Sequence, residues 1–254
     1  MKWYGTGSGS DRVVLWDARS TPRPVATAPG NVPARPSVHS TSWCPAYIDR
    51  FAIPRIIMDF QNLTLPQIYD EAEAVAGDAK ILFGNLNSEQ LNWKPAADSW
   101  SVAQCLDHLI STNHEYQPVF DRILNGEYRK TFLHGMPFLP ALFGRMMIKA
   151  VSPDSQRKFK APGAAQPSSS SIDPQIVDRF IAHQLETLAK MRLLENSDPA
   201  GMIITSPFIS VVVYSLLDTF RLIVAHERRH FAQAQRVMET SGFPLARTSQ
   251  YRER

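Results

Sequence analysis

Apolar side chains recur every three to four positions over long parts of this chain, which is the periodicity of an amphipathic α-helix. The pattern predicts four helices, over about 67–83, 101–126, 173–194 and 210–240. Ser101 is followed three residues later by Gln104, which predicts a capping box at the start of the second helix. Asp173 followed by a proline opens the third helix, and Gly242 ends the fourth.

The segments between these helices carry no alternating apolar and polar pattern that would predict a sheet. Residues 85–99 form a connection, and residues 127–172 are irregular apart from a short apolar piece over 138–148. Four helices without strands of consequence predict an all-α protein that folds as a four-helix bundle over residues 58–245. A short C-terminal tail, 246–254, follows the bundle.

Residues 1–57 differ from the rest of the chain in composition. They are rich in Pro, Ser, Thr, Arg and Gly and keep no helical or strand period, which is typical of a disordered leader. A transit peptide is one interpretation of an acid-poor segment that contains Arg and Ser. We favour an upstream extension from a mis-assigned start, because Met58 directly precedes the first organised stretch.

Charge is spread unevenly along the chain. The formal net charge is +3, and residues 1–57 hold seven Lys or Arg against three Asp, so the remaining chain is slightly acidic. A folded part without net positive charge argues against a nucleic-acid partner. No run reaches the roughly 18 apolar residues of a membrane span, and two cysteines give no disulfide framework. We therefore expect a cytoplasmic protein with a small-molecule substrate and neither a nucleic-acid nor a membrane partner.

Two histidines stand four residues apart in the fourth predicted helix. At about 100° per residue, His226 and His230 share one helix face with apolar residues such as Ile223 and Val237. Buried imidazoles need partners, and two of them one turn apart can bind the same metal ion. The alternative for each is a core histidine whose ring nitrogens are hydrogen-bonded to other residues. Spacing alone does not decide between the two interpretations.

His108 lies in the second predicted helix, at the border between its apolar face and its polar face. The polar face also carries Gln104, Thr112 and Glu115, which would line a site open to solvent. On the pattern alone, a half-exposed histidine without a role is the simpler interpretation of His108. Cys105, three residues earlier, fits a buried core position better than a fourth metal ligand.

The chain resembles the DinB-like (DinB/YfiT-like) metalloenzymes across roughly residues 58–245. The motifs that carry the resemblance are Trp100-Ser101-Val102-Ala103-Gln104, then His108, Ser206-Pro207-Phe208, His226-x-x-x-His230 with Gln233, and Gly242-Phe243-Pro244. The resemblance implies a four-helix bundle of DinB-like type, often a homodimer, with a divalent metal ion, zinc or nickel, held by three histidines. Carried over by position, these three are His108, His226 and His230.

The resemblance also gives the neighbouring polar residues an expected place. Gln104, Thr112 and Glu115 are candidates to line the mouth of the site, and Glu227 and Gln233 are candidates to support the ligands from behind. Glu227 is the weaker of these, because it lies about 100° away from the histidine face.

Several functions are compatible with a three-histidine site. Some members of the resembled family use a low-molecular-weight thiol as cosubstrate, which implies a thiol-dependent transferase acting on a small electrophile. A metal-dependent hydrolase is the nearest alternative, since a metal ion activates water as well as thiols. A non-catalytic, stress-related metal-binding bundle is the third. Arg229, at the edge of the histidine face, is a candidate contact for an anionic substrate.

Overall fold

A computed structural model of the chain describes residues 58–155 and 171–245. The predicted leader, 1–57, and tail, 246–254, lie outside the described residues. The helices are α1 (Leu65–Phe83), α2 (Ser88–Asn92), α3 (Val102–His114), α4 (Gln117–Leu124), α5 (Leu139–Val151), α6 (Ile176–Leu193) and α7 (Leu216–Glu239). Two short strands, β1 (Ile203–Thr205) and β2 (Val213–Ser215), pair antiparallel, with Ile204 opposite Tyr214.

The predicted all-α fold is confirmed, because helices α1, α3, α6 and α7 form a four-helix bundle. Helix α1 packs against α6 and α7, and α3 packs against the same two helices. The core has two apolar clusters, the first containing Ile68, Phe120 and Phe220 and the second containing Phe83 and Phe231. Helices α1 and α7 run from the first cluster to the second. Helices α3 and α6 begin in the second cluster and run in the opposite direction, towards the first. The bundle therefore has an up-down-down-up order.

The capping box predicted at the start of the second helix is confirmed in α3. In α3, the Ser101 hydroxyl accepts a 3.2 Å hydrogen bond from the backbone N–H of Gln104. The side-chain oxygen of Gln104 in turn accepts a 3.2 Å hydrogen bond from the backbone N–H of Ser101. The predicted start of the third helix at Asp173 is wrong, because Asp173 accepts a 2.8 Å hydrogen bond from the Gln175 backbone N–H in a preceding turn and α6 begins at Ile176. These bonds satisfy amides that have no partner inside the helix.

The structure differs from the prediction in several places, among them the short helix α2 within the predicted connection 85–99 and the strand β1. The second predicted helix is divided into α3 and α4, because Pro118 has no amide hydrogen and its ring would clash with the carbonyl of residue 114. The first part of the fourth predicted helix is instead the hairpin strand β2 and its turn, in a run of β-branched residues over 211–213. The apolar piece over 138–148 is the helix α5, which packs on α7 and β2.

None of the helices in the described ranges is both long enough and apolar enough to cross a lipid bilayer.

A close contact between α5 and α7 yields a testable prediction about a buried glycine. A Cβ atom added at Gly144 would lie 2.4 Å from Oδ2 of Asp218, whose Oδ1 accepts a 3.0 Å hydrogen bond from Arg221. We expect Gly144→Ala to lower the free energy of unfolding by about 1–3 kcal/mol, because Asp218 must move and its ion pair is lost. Urea denaturation of the variant measures this change.

Gly77 in α1 supplies the matched control for that experiment. A Cβ atom there meets nothing within 4 Å, so Gly77→Ala should raise stability by up to about 1 kcal/mol through helix propensity alone. Equal effects of the two substitutions would contradict the packing described for α5 and α7.

Candidate metal centre

Three imidazoles converge between α3 and α7, near the junction of the two apolar clusters. The Nε2 atom of His226 lies 3.2 Å from Nε2 of His108 and 3.1 Å from Nε2 of His230. One ligand nitrogen from each ring can be chosen so that all three lie within 4.8 Å of one another. Nitrogens bound to one tetrahedral ion at 2.0–2.1 Å would be about 3.3 Å apart. The three rings therefore have the spacing of ligands to one metal ion.

Burial keeps two of these imidazoles, those of His226 and His230, in the form that binds metal. Burial, the proximity of His108 and the charge of Arg229 hold the pKa of His226 well below its usual range. The pKa of His230 is also well below its usual range, through burial, the two neighbouring histidines and Arg229. Neutral imidazoles present a nitrogen lone pair, which is what a divalent metal ion requires.

Trp100 covers one side of the histidine cluster. Its ring stacks on His230 with a centroid distance of 5.6 Å and an interplanar angle of 20°. The same indole meets the His108 ring at 4.9 Å with a 58° tilt. The sequence motif contained Trp100, but its contact with the cluster was not predicted, because it depends on how α3 packs against α7.

The polar residues expected around the histidines occupy different positions. The Thr112 hydroxyl lies 3.4 Å from Nδ1 of His108, and a hydrogen bond donated to Gln233 partly offsets the lowering of the pKa of His230. Both residues therefore lie beside a histidine ring. Gln104 is buried and serves the α3 capping box. Glu115 is half-buried at the C-terminal cap of α3, so its place at the mouth of a site stays a prediction.

Glu227 belongs to a buried polar layer in the middle of the bundle. Its carboxyl group accepts hydrogen bonds from Asn113 at 2.7 Å and from Gln184 at 3.0 Å, so α7 is bridged to α3 and α6. Burial raises the pKa of Glu227 to about 8, although both hydrogen bonds oppose the shift. This layer was not predicted from the sequence, because the pattern within each helix does not show that Asn113 and Gln184 meet Glu227.

The two arginines between the histidines have structural contacts. Arg228 pairs with Glu71 and Asp78 of α1. The guanidinium of Arg229 donates hydrogen bonds to the carbonyls of Ala150 and Ser152, at 3.2 and 3.3 Å, at the C-terminal end of α5. Contact of Arg229 with an anionic substrate stays a prediction.

Cys105 is a core residue. It is 1% exposed in the second apolar cluster, and burial raises the pKa of its thiol to about 12. A thiol that does not ionise near neutral pH is a poor nucleophile and a poor metal ligand. Within the described ranges, the group of residues able to hold a metal ion consists of the three histidines.

Comparison with known proteins places this site in a family. The family profile described as the DinB superfamily matches residues 71–234, which include His108, His226 and His230. The chain belongs to the DinB superfamily. It is also similar to the uncharacterized protein YuaE of Bacillus subtilis (strain 168), with 26% identity over 156 residues, which cover 61% of this chain and 86% of YuaE. No solved structure matches the chain significantly.

The DinB-superfamily match covers most of the bundle. It begins within α1 and ends within α7, so it contains α3, α6 and the polar layer at Glu227. The Gly242-Phe243-Pro244 motif lies beyond the matched range. There the Phe243 ring packs edge-on against Trp93 at 5.6 Å, and the Pro244 carbonyl accepts a hydrogen bond from Gln90. This motif therefore joins the end of the bundle to α2.

Proposed function

We propose that this DinB-superfamily protein binds a divalent metal ion, zinc or nickel, through His108, His226 and His230, and acts as a thiol-dependent transferase on a small electrophile. The observation that carries the proposal is the approach of three buried imidazoles, with Nε2 of His226 at 3.1–3.2 Å from the Nε2 atoms of the other two. Without a metal ion, one N–H can be shared between two of these ring nitrogens, whereas a single cation can bind all three nitrogens at once.

The donor set fits the metal. Imidazole nitrogen suits zinc and nickel, and three protein ligands leave a position for an exogenous molecule. When bound, the ion would supply Lewis acidity and lower the pKa of a coordinated thiol or water.

The surrounding residues would orient the ligands and shape the site. Thr112 would fix the ring of His108 through Nδ1, so that its Nε2 atom keeps its direction, whereas Nδ1 of His230 is buried without a hydrogen-bond partner. Trp100 excludes water from one side of the cluster and offers an apolar face to an electrophile. The burial of all three histidines, each less than one-tenth exposed, is the observation that favours the alternative of a non-catalytic metal-binding bundle.

A metal-loaded conjugation assay tests the proposal. The full chain is loaded with Zn²⁺ or Ni²⁺, bound metal is counted by mass spectrometry, and 1-chloro-2,4-dinitrobenzene is offered with a panel of low-molecular-weight thiols. We expect about one ion per chain and conjugation that stops on chelation. His230→Ala should lose both, whereas Cys105→Ala should keep both, because its thiol is buried in the core.

The other outcomes assign the alternatives. Hydrolysis of p-nitrophenyl acetate without thiol conjugation would show a metal-dependent hydrolase. Stoichiometric metal that changes neither reaction would show the non-catalytic bundle. Conjugation that survives chelation would contradict the proposal.

A further inference from the structure

Exposed large hydrophobic side chains are concentrated in one region of the described chain. Of twelve such residues in the ranges 58–155 and 171–245, seven lie within 132–146 and 209–211. These two segments are neighbours in space, because α5 packs on β2 and the turn over 132–135 contacts both strands. A soluble domain seldom exposes so many apolar side chains together unless they contact a partner.

The outer side of α5 provides the centre of this region. We call it the α5 face and define it by Phe138, Leu142, Arg145, Met146 and Lys149, which lie three or four residues apart and are all exposed. Phe138 and Leu142 are 87% and 62% exposed. The opposite side of α5 holds Gly144 and Ile148, which are buried against the bundle.

Phe138 combines a strained backbone with an exposed ring. Phe138 is the N-cap of α5 and has φ 65°, in the left-handed region that a bulky side chain disfavours. Glycine would relieve this strain, and the ring gains no packing inside the protein that would offset it, because it is almost fully exposed. Strain of this kind is retained where a function needs the side chain.

The charges of this region have one sign. Residues 128–153 contain Arg129, Lys130, Arg145 and Lys149 and neither Asp nor Glu. The adjoining residues 199–217, which include the hairpin, carry no charged side chain. No ion pair joins any of these four cations to a residue in the described ranges. Asp218 of α7 faces buried Gly144 on the inner side of α5 and is paired with Arg221.

We propose that the α5 face docks on an anionic lipid surface, with Phe138 and Leu142 entering the boundary between headgroups and acyl chains and Arg145 and Lys149 meeting lipid phosphates. Exposed aromatic and aliphatic residues beside unpaired cations are the pattern of an interfacial helix. A second copy of the chain fits less well, since a two-fold contact would bring the same unpaired cations together. The expectation of no membrane partner rested on the lack of a spanning run, which an interfacial helix does not need.

Vesicle flotation with the full chain tests the proposal. Binding is measured to vesicles of phosphatidylglycerol mixed with phosphatidylcholine and to vesicles of phosphatidylcholine alone. We expect binding to the anionic vesicles only. The double variant Arg145→Glu with Lys149→Glu should bind the anionic vesicles at least about tenfold more weakly. This magnitude follows from the usual contribution of a basic residue near an anionic surface. Lys80→Glu with Arg122→Glu, which changes the net charge equally at exposed sites of α1 and α4, should leave it within about twofold.

A second pair of variants separates lipid contact from stability. Phe138→Gly relieves the left-handed strain, so its thermal midpoint should not fall, yet its vesicle binding should drop at least about fivefold. Leu193→Ser, at another exposed apolar site, should retain binding. Equal binding by the charge-reversed pair and its control would overturn the proposal, as would equal binding to neutral vesicles. Self-association that Phe138→Gly abolishes, without lipid binding, would instead assign the face to a second copy.

Discussion

Replacing His226 by alanine is expected to lower the affinity for Zn²⁺ more than about 100-fold, which exceeds the usual effect of changing a residue that only supports a ligand. His226 is central, because its Nε2 atom is 3.2 Å from that of His108 and 3.1 Å from that of His230. Competition titration with a chromogenic chelator measures the affinity. Because burial lowers the pKa of His226 and His230, the wild-type affinity should persist below the pH at which free imidazole titrates.

The fold should survive this substitution. The two apolar clusters contain none of the three histidines and should remain intact. With chelator present, the free energy of unfolding of His226→Ala should therefore lie within about 2 kcal/mol of the wild-type value. Zn²⁺ should raise the thermal midpoint of the wild type but not of the variant, because only the folded wild type binds it.

His183→Ala is the matched control for the metal experiment, since His183 is a half-buried helical histidine outside the cluster. Its Zn²⁺ affinity should stay within about threefold of wild type, because it removes no ligand. Unaltered affinity in His226→Ala would contradict the metal centre. Unfolding of that variant in chelator would show that His226 is needed for the fold itself.

Glu227→Gln is expected to have a higher free energy of unfolding than wild type at pH 9, by at most about 5 kcal/mol. This limit follows from about 1.4 kcal/mol for each unit by which the pKa differs between the folded and unfolded states. Burial raises the pKa of Glu227 in the folded state from 4.5 to about 8, so the folded state holds this proton better than the unfolded state. The resulting contribution to stability is complete below about pH 4.5 and is lost as the pH rises through about 8. The amide cannot ionise and avoids the loss.

The surrounding amides can accept this change. Oδ1 of Asn113 and Oε1 of Gln184 are buried without a hydrogen-bond partner. Gln184 is also held by a 3.1 Å hydrogen bond from its Nε2 to the Ala72 carbonyl, so Asn113 is the amide that turns more easily to accept the new NH₂ group. The stability of the variant near pH 5 should therefore lie within about 1.5 kcal/mol of wild type.

Urea denaturation at pH 5, 7 and 9, with chelator present, measures the difference between the two proteins. Glu239→Gln removes the same charge at an exposed position of α7 and should show a pH-independent difference. A Glu227→Gln protein that is less stable than wild type at pH 9 would show that the native fold needs the ionised carboxylate.

The sequence by itself was sufficient for features that depend on near neighbours along the chain. The amphipathic periods located the four bundle helices, and Ser101 with Gln104 marked the start of α3. The spacing of His226 and His230 fixed their common face, since residues four apart lie one above the other on any helix. The same local rules were less informative for the hairpin, because each strand has three residues and gains its partner from the other.

Only the tertiary structure decided which distant residues meet. His108 is more than a hundred residues from His226, and nothing in its own helix distinguishes a ligand from a half-exposed histidine. The packing of α3 on α7 brings the two rings together and places Trp100 over them. Burial between three helices likewise raises the pKa of Glu227. Helical spacing alone had shown only that Glu227 lies beside the histidine face, not that it is buried. Local periodicity thus gives the direction of each side chain, and only the packing of helices determines what that side chain meets.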